Sequence, residues 1–319
     1  MKRGQLEASI LTFVTLGLVA FGLVMVYSAT SASAALAIWA AGYLTRKRPP
    51  QTLKQLWRPI GLLTTVFCVL LLAEPDLGTA IAIMLMLAAM LLVAGTPVRT
   101  LGAGVSIAAA VSLVAVWFEP YRRARLFSFI NPWHDAQGAG YQTVQAIIGL
   151  GSGGIFGRGL GQSIEKANFL PEAHTDMIFA IIGEELGLVG VTLVIAAYAA
   201  FGWAGLRIAL RCRDPFGKAL AVGITMLVCG QAALNLMAVV GLAPLTGIPL
   251  PLVSYGGTSI VVALASVGIL LNIGRSDGVE IAASVRGGSR RDSRSRPAVA
   301  RGRRSAPRTR RERELRRLA

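Results

Sequence analysis

The residues best suited to chemistry lie in Leu170-Pro171-Glu172-Ala173-His174-Thr175-Asp176, which runs straight into Met177-Ile178-Phe179-Ala180-Ile181-Ile182-Gly183 and then Glu184-Glu185. A carboxylate in hydrocarbon costs at least ~2.5 kcal/mol even on lenient insertion scales, so acids at the mouth of a membrane span mark function by default. Asp176 admits two readings. At the start of a helix, it or Thr175 accepts backbone N–H groups and complements the dipole. At the boundary of membrane and water, it is a general base able to take a proton from a hydroxyl. His174 is either a solvated loop residue or one that orients substrate or relays a proton. Glu184 and Glu185, two turns deeper, cannot both face lipid, so one should bond a neighbouring helix or line a cavity. Glu74 and Asp76 pose the same problem at another span entrance.

The elements that must position these groups are membrane helices. The chain has 319 residues, 54% of them hydrophobic and 15% charged, with mean hydropathy +0.61. Several uncharged runs approach the ~20 residues that cross a bilayer. In lipid only helices and closed barrels satisfy the backbone, and the short alternating strands of a barrel are absent from the sequence. The expected fold is an all-α polytopic membrane protein of about eight spans, occupying residues 1–274. Both termini fall on the cytoplasmic side by the positive-inside rule. Spans are expected over Pro59–Ala73, Leu77–Ala94, Leu101–Phe118, Asp176–Leu206, Ala219–Leu242 and Thr258–Ile273. The first apolar run, Ala8–Leu44, is too long for one span and short for two, and Ser28–Ser33 suits a break into a cramped hairpin. Net charge is +16, concentrated after Asn272, and residues 275–319 read as a disordered tail with about fifteen arginines. The tail would attract anionic lipid headgroups or serve only as an orientation signal; no folded module supports nucleic-acid binding. Cys68, Cys212 and Cys229 have the spacing of neither a disulfide framework nor a metal site.

Residues 119–175 form a long hydrophilic connection, expected outside the membrane, and connections of that length are functional or disordered. Arg122, Arg123 and Arg125 lie there against the charge rule, with Arg158 and Lys166 further along. They would neutralise a pyrophosphate or sit at headgroup level. The glycine-dense stretch Gly149–Gly161 allows close backbone approach to a ligand or simply builds tight turns. Pro249 to Ser259, with two prolines and paired glycines, is broken backbone of the kind tolerated at membrane depth only beside a cavity or within protein. Gln231 and Asn235 in the preceding span are placed to bond between helices.

These motifs resemble the SEDS family of shape, elongation, division and sporulation proteins. Met25-Val26-Tyr27-Ser28-Ala29, Glu74 to Thr79, Gly140-Tyr141-Gln142, Leu170 to Asp176, Gly183 to Gly187 and Pro249 to Ser259 occur in family order, over roughly residues 10–273. Gly159 to Ser163 and Pro171 to Asp176 are more similar to the division branch than to the elongation branch. The resemblance implies a peptidoglycan glycosyltransferase that polymerises lipid II at the outer face of the bacterial inner membrane, at the division septum. Its partners would be a class B penicillin-binding transpeptidase and other divisome membrane proteins. A lipid II transporter and an inactive scaffold are the alternatives. The family's essential aspartate corresponds to Asp176, with Arg122, Arg123, Arg125, Lys166, Glu172, His174, Ser254 and Tyr255 as substrate-binding residues. No metal cage is expected; a divalent cation, Mg or Mn, is the one cofactor the resemblance suggests. The chain departs from the family between Ser28 and Ala35, where two spans of the usual ten are missing and no lysine occurs between Lys2 and Lys47.

Overall fold

The computed structural model describes residues 29–73, 76–165, 174–255 and 259–275, all within one compact unit, Met1–Asp277. The motif Met25–Tyr27, Glu74, Lys166, Glu172 and the arginine-rich tail lie outside the described residues, as does most of the expected first span. The long elements are α1 (Ala29–Arg46), α2 (Leu62–Ala73), α3 (Leu77–Val93), α4 (Val98–Phe118), α5 (Pro120–Ile130), α6 (Tyr141–Ser152), α7 (Ile178–Arg211), α8 (Pro215–Val239) and α9 (Ser259–Arg275). The described residues contain no strand. Helices α4, α7 and α8 are long and apolar enough to cross a membrane, while α3 and α9 are shorter apolar helices. The small polar residues Ser31 and Ser33 lie inside α1, so this part of the expected break is helical.

Helix α8 is the hub. It packs against α1, α3, α6 and α7, and most of its length is buried by protein, whereas almost none of α4 is. Asp214 caps its start, accepting from the N–H groups of Phe216 (3.3 Å) and Gly217 (2.8 Å). Small residues let the neighbouring backbones approach closely, as expected where apolar burial alone does not drive association. Asp76 caps α3 through the Thr79 N–H at 2.9 Å. Two residues on, Gly78 lies so close to Ile248 and Thr246 that a side chain there would collide with both. The Asp76–Thr79 motif therefore starts a helix and admits the 246–248 loop beside it.

The main correction to the sequence reading concerns α7. Residues 176–206 were expected to descend as one span. Instead Gly187, with φ 67° and ψ −158°, reverses the helix. A Cβ built on Gly183 would lie 3.4 Å from Val191 Cγ2, and one on Gly190 would lie 3.3 Å from Ile182 Cγ2. Residues eight apart in a straight helix are separated by ~12 Å, so these contacts require residues 178–186 to fold back along the second arm. Helix α8 runs beside that second arm, with Cys229 Sγ 3.7 Å from the Tyr198 carbonyl oxygen. The apolar faces of the first arm fill the space between, with Phe179, Ala180 and Ile181 buried in a cluster that includes Val191, Val194 and Tyr198.

Long connection 119–175 also proves more structured than its hydrophilic reading implied. It contains α5, a single tight turn at Pro132–Asp135 and α6, whose Leu150 side chain packs on Gly183 of the first arm. Gly187→Ala is expected to cost about 1–3 kcal/mol, because its backbone region is essentially reserved for glycine. A Cβ there would also meet the backbone of Ile155 and Gly157. A lowered thermal unfolding temperature and faster proteolysis at residues 153–159 would register the change.

Candidate functional site

Asp176 sits at the free end of the folded-back arm, in the turn 174–177, and is partly exposed; Met177 behind it is fully buried. The N-cap position of α7 falls on Met177, which makes no side-chain cap bond. The Asp176 carboxylate accepts from Thr175 Oγ1 at 3.3 Å.

What fixes this turn is the Pro/Gly loop that precedes α9. Asn235 Nδ2, from α8, donates to the Asp176 carbonyl oxygen at 2.7 Å and to the Ile248 carbonyl oxygen at 2.8 Å. Facing two carbonyls, the amide can present only its NH2 group, which settles its orientation. Ser254 Oγ donates to the Thr175 carbonyl oxygen and accepts from the Leu250 N–H at 2.7 Å. Tyr255 N–H donates to the His174 carbonyl oxygen at 2.9 Å, and Tyr198 Oη, on the second arm, donates to the Pro251 carbonyl oxygen. Every backbone carbonyl of the 174–176 turn is thus tied to α8 or to the 248–255 loop.

Depth follows from these ties. Asn235 lies six residues beyond Cys229, roughly 9 Å further along α8. The first arm measures about 14 Å from Ile178 to Gly187. Asp176 therefore lies about 8–14 Å from Gly187 towards the Arg207 end, and Glu184 and Glu185 sit at the apex rather than below it. This inverts the order of depth that the sequence suggested.

The two glutamates are not equivalent. Glu184 is fully buried, and its carboxylate accepts from Ser163 Oγ (2.5 Å), Ile164 N–H (3.1 Å), Glu165 N–H (3.4 Å) and Arg158 Nη1 (3.3 Å). It binds the glycine-rich loop, not a neighbouring helix. Arg158 is thereby an ion-pair partner of Glu184. Glu185 is partly buried, with Oε1 unpartnered among the described residues. Glu165, which the sequence did not single out, is buried beside this cluster; burial first, and the Glu184 carboxylate second, push its carboxyl above the usual range against the opposing pull of Arg158.

The other expected site residues divide clearly. His174 and Tyr255 are exposed close to Asp176, joined through the backbone. Ser254, expected to touch substrate, is instead buried with its hydroxyl committed to two backbone partners. Arg123 is exposed on α5, and Arg125 Nη1 reaches the Leu245 carbonyl oxygen at 3.4 Å, which sets α5 against the loop leading to Ile248. Arg122 lies on the same helix. A narrow cavity lined by Gln231, Pro249, Pro251, Ser259 and Ser266 lies on the α9 side of the loop and includes none of the acids. Among the described residues no three His, Cys, Asp or Glu side chains converge as a metal site.

Comparison with known proteins decides the family. The profile described as "Cell cycle protein", covering FtsW, RodA and SpoVE, matches residues 32–278. The chain belongs to this family. The match begins within the anomalous Ser28–Ala35 junction, so Met25–Ala29 lies outside it. A probable peptidoglycan glycosyltransferase FtsW of Geobacter sulfurreducens is 42% identical over 215 residues, 67% of this chain and 58% of that protein. Its counterpart in Mycobacterium tuberculosis is 41% identical over 253 residues, 79% of this chain and 48% of that protein. Stage V sporulation protein E of Bacillus subtilis is 42% identical over 219 residues, 68% of this chain and 59% of that protein. The chain thus spans about half to three-fifths of the length of these relatives. Among solved structures, a chain from a peptidoglycan synthase complex that coordinates polymerization and crosslinking superposes with TM-score 0.64 at 28% identity, covering 78% of this chain and 70% of that one. RodA of Thermus thermophilus gives TM-score 0.53 at 27% identity, covering 78% of this chain and 65% of that one.

Variants of Asn235 test the ties and a variant of Glu165 tests the Glu184 cluster. Asn235→Ala removes the donor to two carbonyls and is expected to destabilise by about 1–3 kcal/mol, with Asn235→Asp worse because a carboxylate would face both oxygens. Thermal unfolding in detergent orders the variants. Because the Glu165 carboxyl is raised in the folded state, its protonation favours folding, and that contribution is lost as pH rises from the ordinary carboxylate range through the raised value. Glu165→Gln is therefore expected to raise the unfolding temperature at neutral pH and to flatten its decline above acid pH.

Proposed function

We propose that this chain is the membrane-embedded core of a division-type peptidoglycan glycosyltransferase, acting on lipid II. The observation that carries the reading is Asp176, held by its own backbone at the end of a folded-back arm, in a family whose relatives bear that activity in their names. In this reading the chain crosses the bacterial inner membrane about eight times, with both termini cytoplasmic and the 119–175 connection outside, and works at the septum. Helices α1, α2, α3, α4, α7, α8 and α9 supply seven of the crossings.

Asp176 takes the proton from the 4-hydroxyl of the acceptor GlcNAc. The oxygen attacks the anomeric carbon of the lipid-linked donor, the carbon–oxygen bond to the pyrophosphate breaks, and undecaprenyl pyrophosphate leaves with the electron pair. Rigid backbone ties matter here because proton transfer needs the base within hydrogen-bond reach of the attacking oxygen. Arg122, Arg123 and Arg125 on α5, with Lys166, stabilise the charge that develops on the leaving group, as guanidinium groups do for phosphate oxygens. His174 and Tyr255 flank Asp176 and orient the sugars, with Glu172 in the same connection. The described residues offer a divalent cation no cage, so no step is routed through one. The cytoplasmic tail contributes lipid attraction. The partner that crosslinks the product is a class B penicillin-binding transpeptidase, alongside other divisome membrane proteins.

Purified chain and Asp176→Asn, incubated with lipid II and a partner transpeptidase, supply the test. Glycan polymer on a gel is expected to fall by about 10²–10⁴-fold in the variant, the range a positioned acid or base contributes. Its thermal unfolding should shift far less than that of Asn235→Ala, because asparagine keeps the size of the side chain and the backbone carbonyl bond from Asn235. Equal polymer from both proteins would sink the assignment, and lipid II translocation without polymer would indicate a transporter.

A further inference from the structure

Reversal at Gly187 leaves helix-end peptide groups on both arms, and the glycine-rich loop satisfies them. Arg158 N–H donates to the Glu184 carbonyl oxygen (3.0 Å) and Gly159 N–H to that of Glu185 (3.0 Å). In return Leu188 N–H donates to the Gly154 carbonyl oxygen (2.9 Å) and Val189 N–H to that of Ile155 (3.2 Å). With Glu184 anchoring residues 163–165 from below, the loop is fastened to the apex at both ends.

None of this uses the loop's large side chains, and they point outward. Phe156 is 83% exposed, Leu160 76%, Ile155 62% and Ile164 51%. Leu188 and Val189, their backbone partners on the second arm, are exposed as well, so the patch is continuous with the outer surface of α7. A rigid loop with four exposed large apolar side chains requires an occupant. Sequence length identifies it. Leu188 to Leu206 is an uncharged run of 19 residues, roughly 28 Å of helix, against a hydrocarbon core of ~30 Å. Arg207 stacks on Trp203 at 4.8 Å, the aromatic and basic pairing of a membrane boundary, and Arg211 and Arg213 follow. With the Arg207 end at one boundary, Gly187 and the loop fall at the other. Arg158, which is 39% exposed, stands beside the apolar patch at the level of headgroup phosphates.

We propose that residues 155–164 form a wedge that seats Ile155, Phe156, Leu160 and Ile164 in the headgroup–acyl boundary of the leaflet opposite Arg207. The lipid surface then fixes the height of Gly187, and through the arm of about 14 Å it fixes the depth of Asp176. The proposal rests on α7 crossing the membrane and is independent of the chemistry assigned to Asp176.

The test uses the full chain with Cys68, Cys212 and Cys229 replaced by alanine, reconstituted in phosphatidylcholine–phosphatidylglycerol vesicles. One version carries Phe156→Cys and another Leu193→Cys, a lipid-facing reference on the second arm that is 67% exposed. Each is labelled with an environment-sensitive fluorophore and quenched by spin-labelled lipid or by aqueous iodide. The expected result is a blue-shifted Phe156 label quenched several-fold more by the shallow lipid probe than by iodide, with the Leu193 label reached only by deeper probes. A Phe156 label open to iodide beside a lipid-quenched Leu193 label would overturn the wedge. So would a label shielded only when the transpeptidase is added, which would give the patch to a protein partner. A Leu193 label untouched by lipid probes would remove the membrane-crossing premise and the wedge with it.

Discussion

Gly187 reverses the chain inside what composition presents as one continuous apolar helix, and the candidate site depends on that reversal. A residue at φ 67° and ψ −158° is open to glycine alone at low cost. Because the turn lies at the apex, two sets of unsatisfied peptide groups meet there, and residues 153–159 complete both. Gly187 is buried, so protein groups must replace the helix bonds missing there. The glycine-dense loop, the buried Glu184 and the helix break are therefore one construction.

From that apex the first arm carries Asp176 back along the second arm to meet the Pro/Gly loop. Four ties, from Asn235, Ser254, Tyr255 and Tyr198, all engage backbone carbonyl oxygens. The peptide beneath the Asp176 carboxylate is thereby immobilised. Gly78 extends the arrangement to α3, since only a residue without a side chain lets Ile248 pass. Three motifs far apart in sequence, Asp76 to Thr79, His174 to Asp176 and Ile248 to Tyr255, thus form one neighbourhood around Asn235.

Much of this was legible from the residues. Span existence followed from uncharged length, and the helical class from backbone satisfaction in lipid. Asp176, Asn235 and the Pro249 to Ser259 loop stood out because polar groups and broken backbone are costly in hydrocarbon. The reversal was not legible. Glu184 and Glu185 stand just before Gly187, but paired acids within an apolar run read equally well as groups bonding a neighbouring helix, no proline marks a break, and an isolated glycine is tolerated in many helices. Depth was misjudged for the same reason, since counting residues from Asp176 along a straight helix buries Glu184 and Glu185 instead of lifting them to the apex. Ser254 was misread because its hydroxyl type fits substrate contact and backbone tying equally well, and only its burial separates the two. Arg158 was grouped with Arg122, Arg123 and Arg125 because the ion pair with Glu184 joins residues 26 apart.

The folded-back arm is the central claim, and a distance measures it most directly. Spin labels placed at His174 and Leu210, both exposed, report the separation of the Asp176 turn from the far end of α7. The reversal at Gly187 places the two positions roughly 25 Å apart, whereas an unbroken helix would separate 36 residues by about 54 Å. A pulsed electron-resonance distance near the shorter value in nanodiscs is the expected result. A distribution centred near the longer one would contradict the reversal, and with it the depth and immobilisation of Asp176.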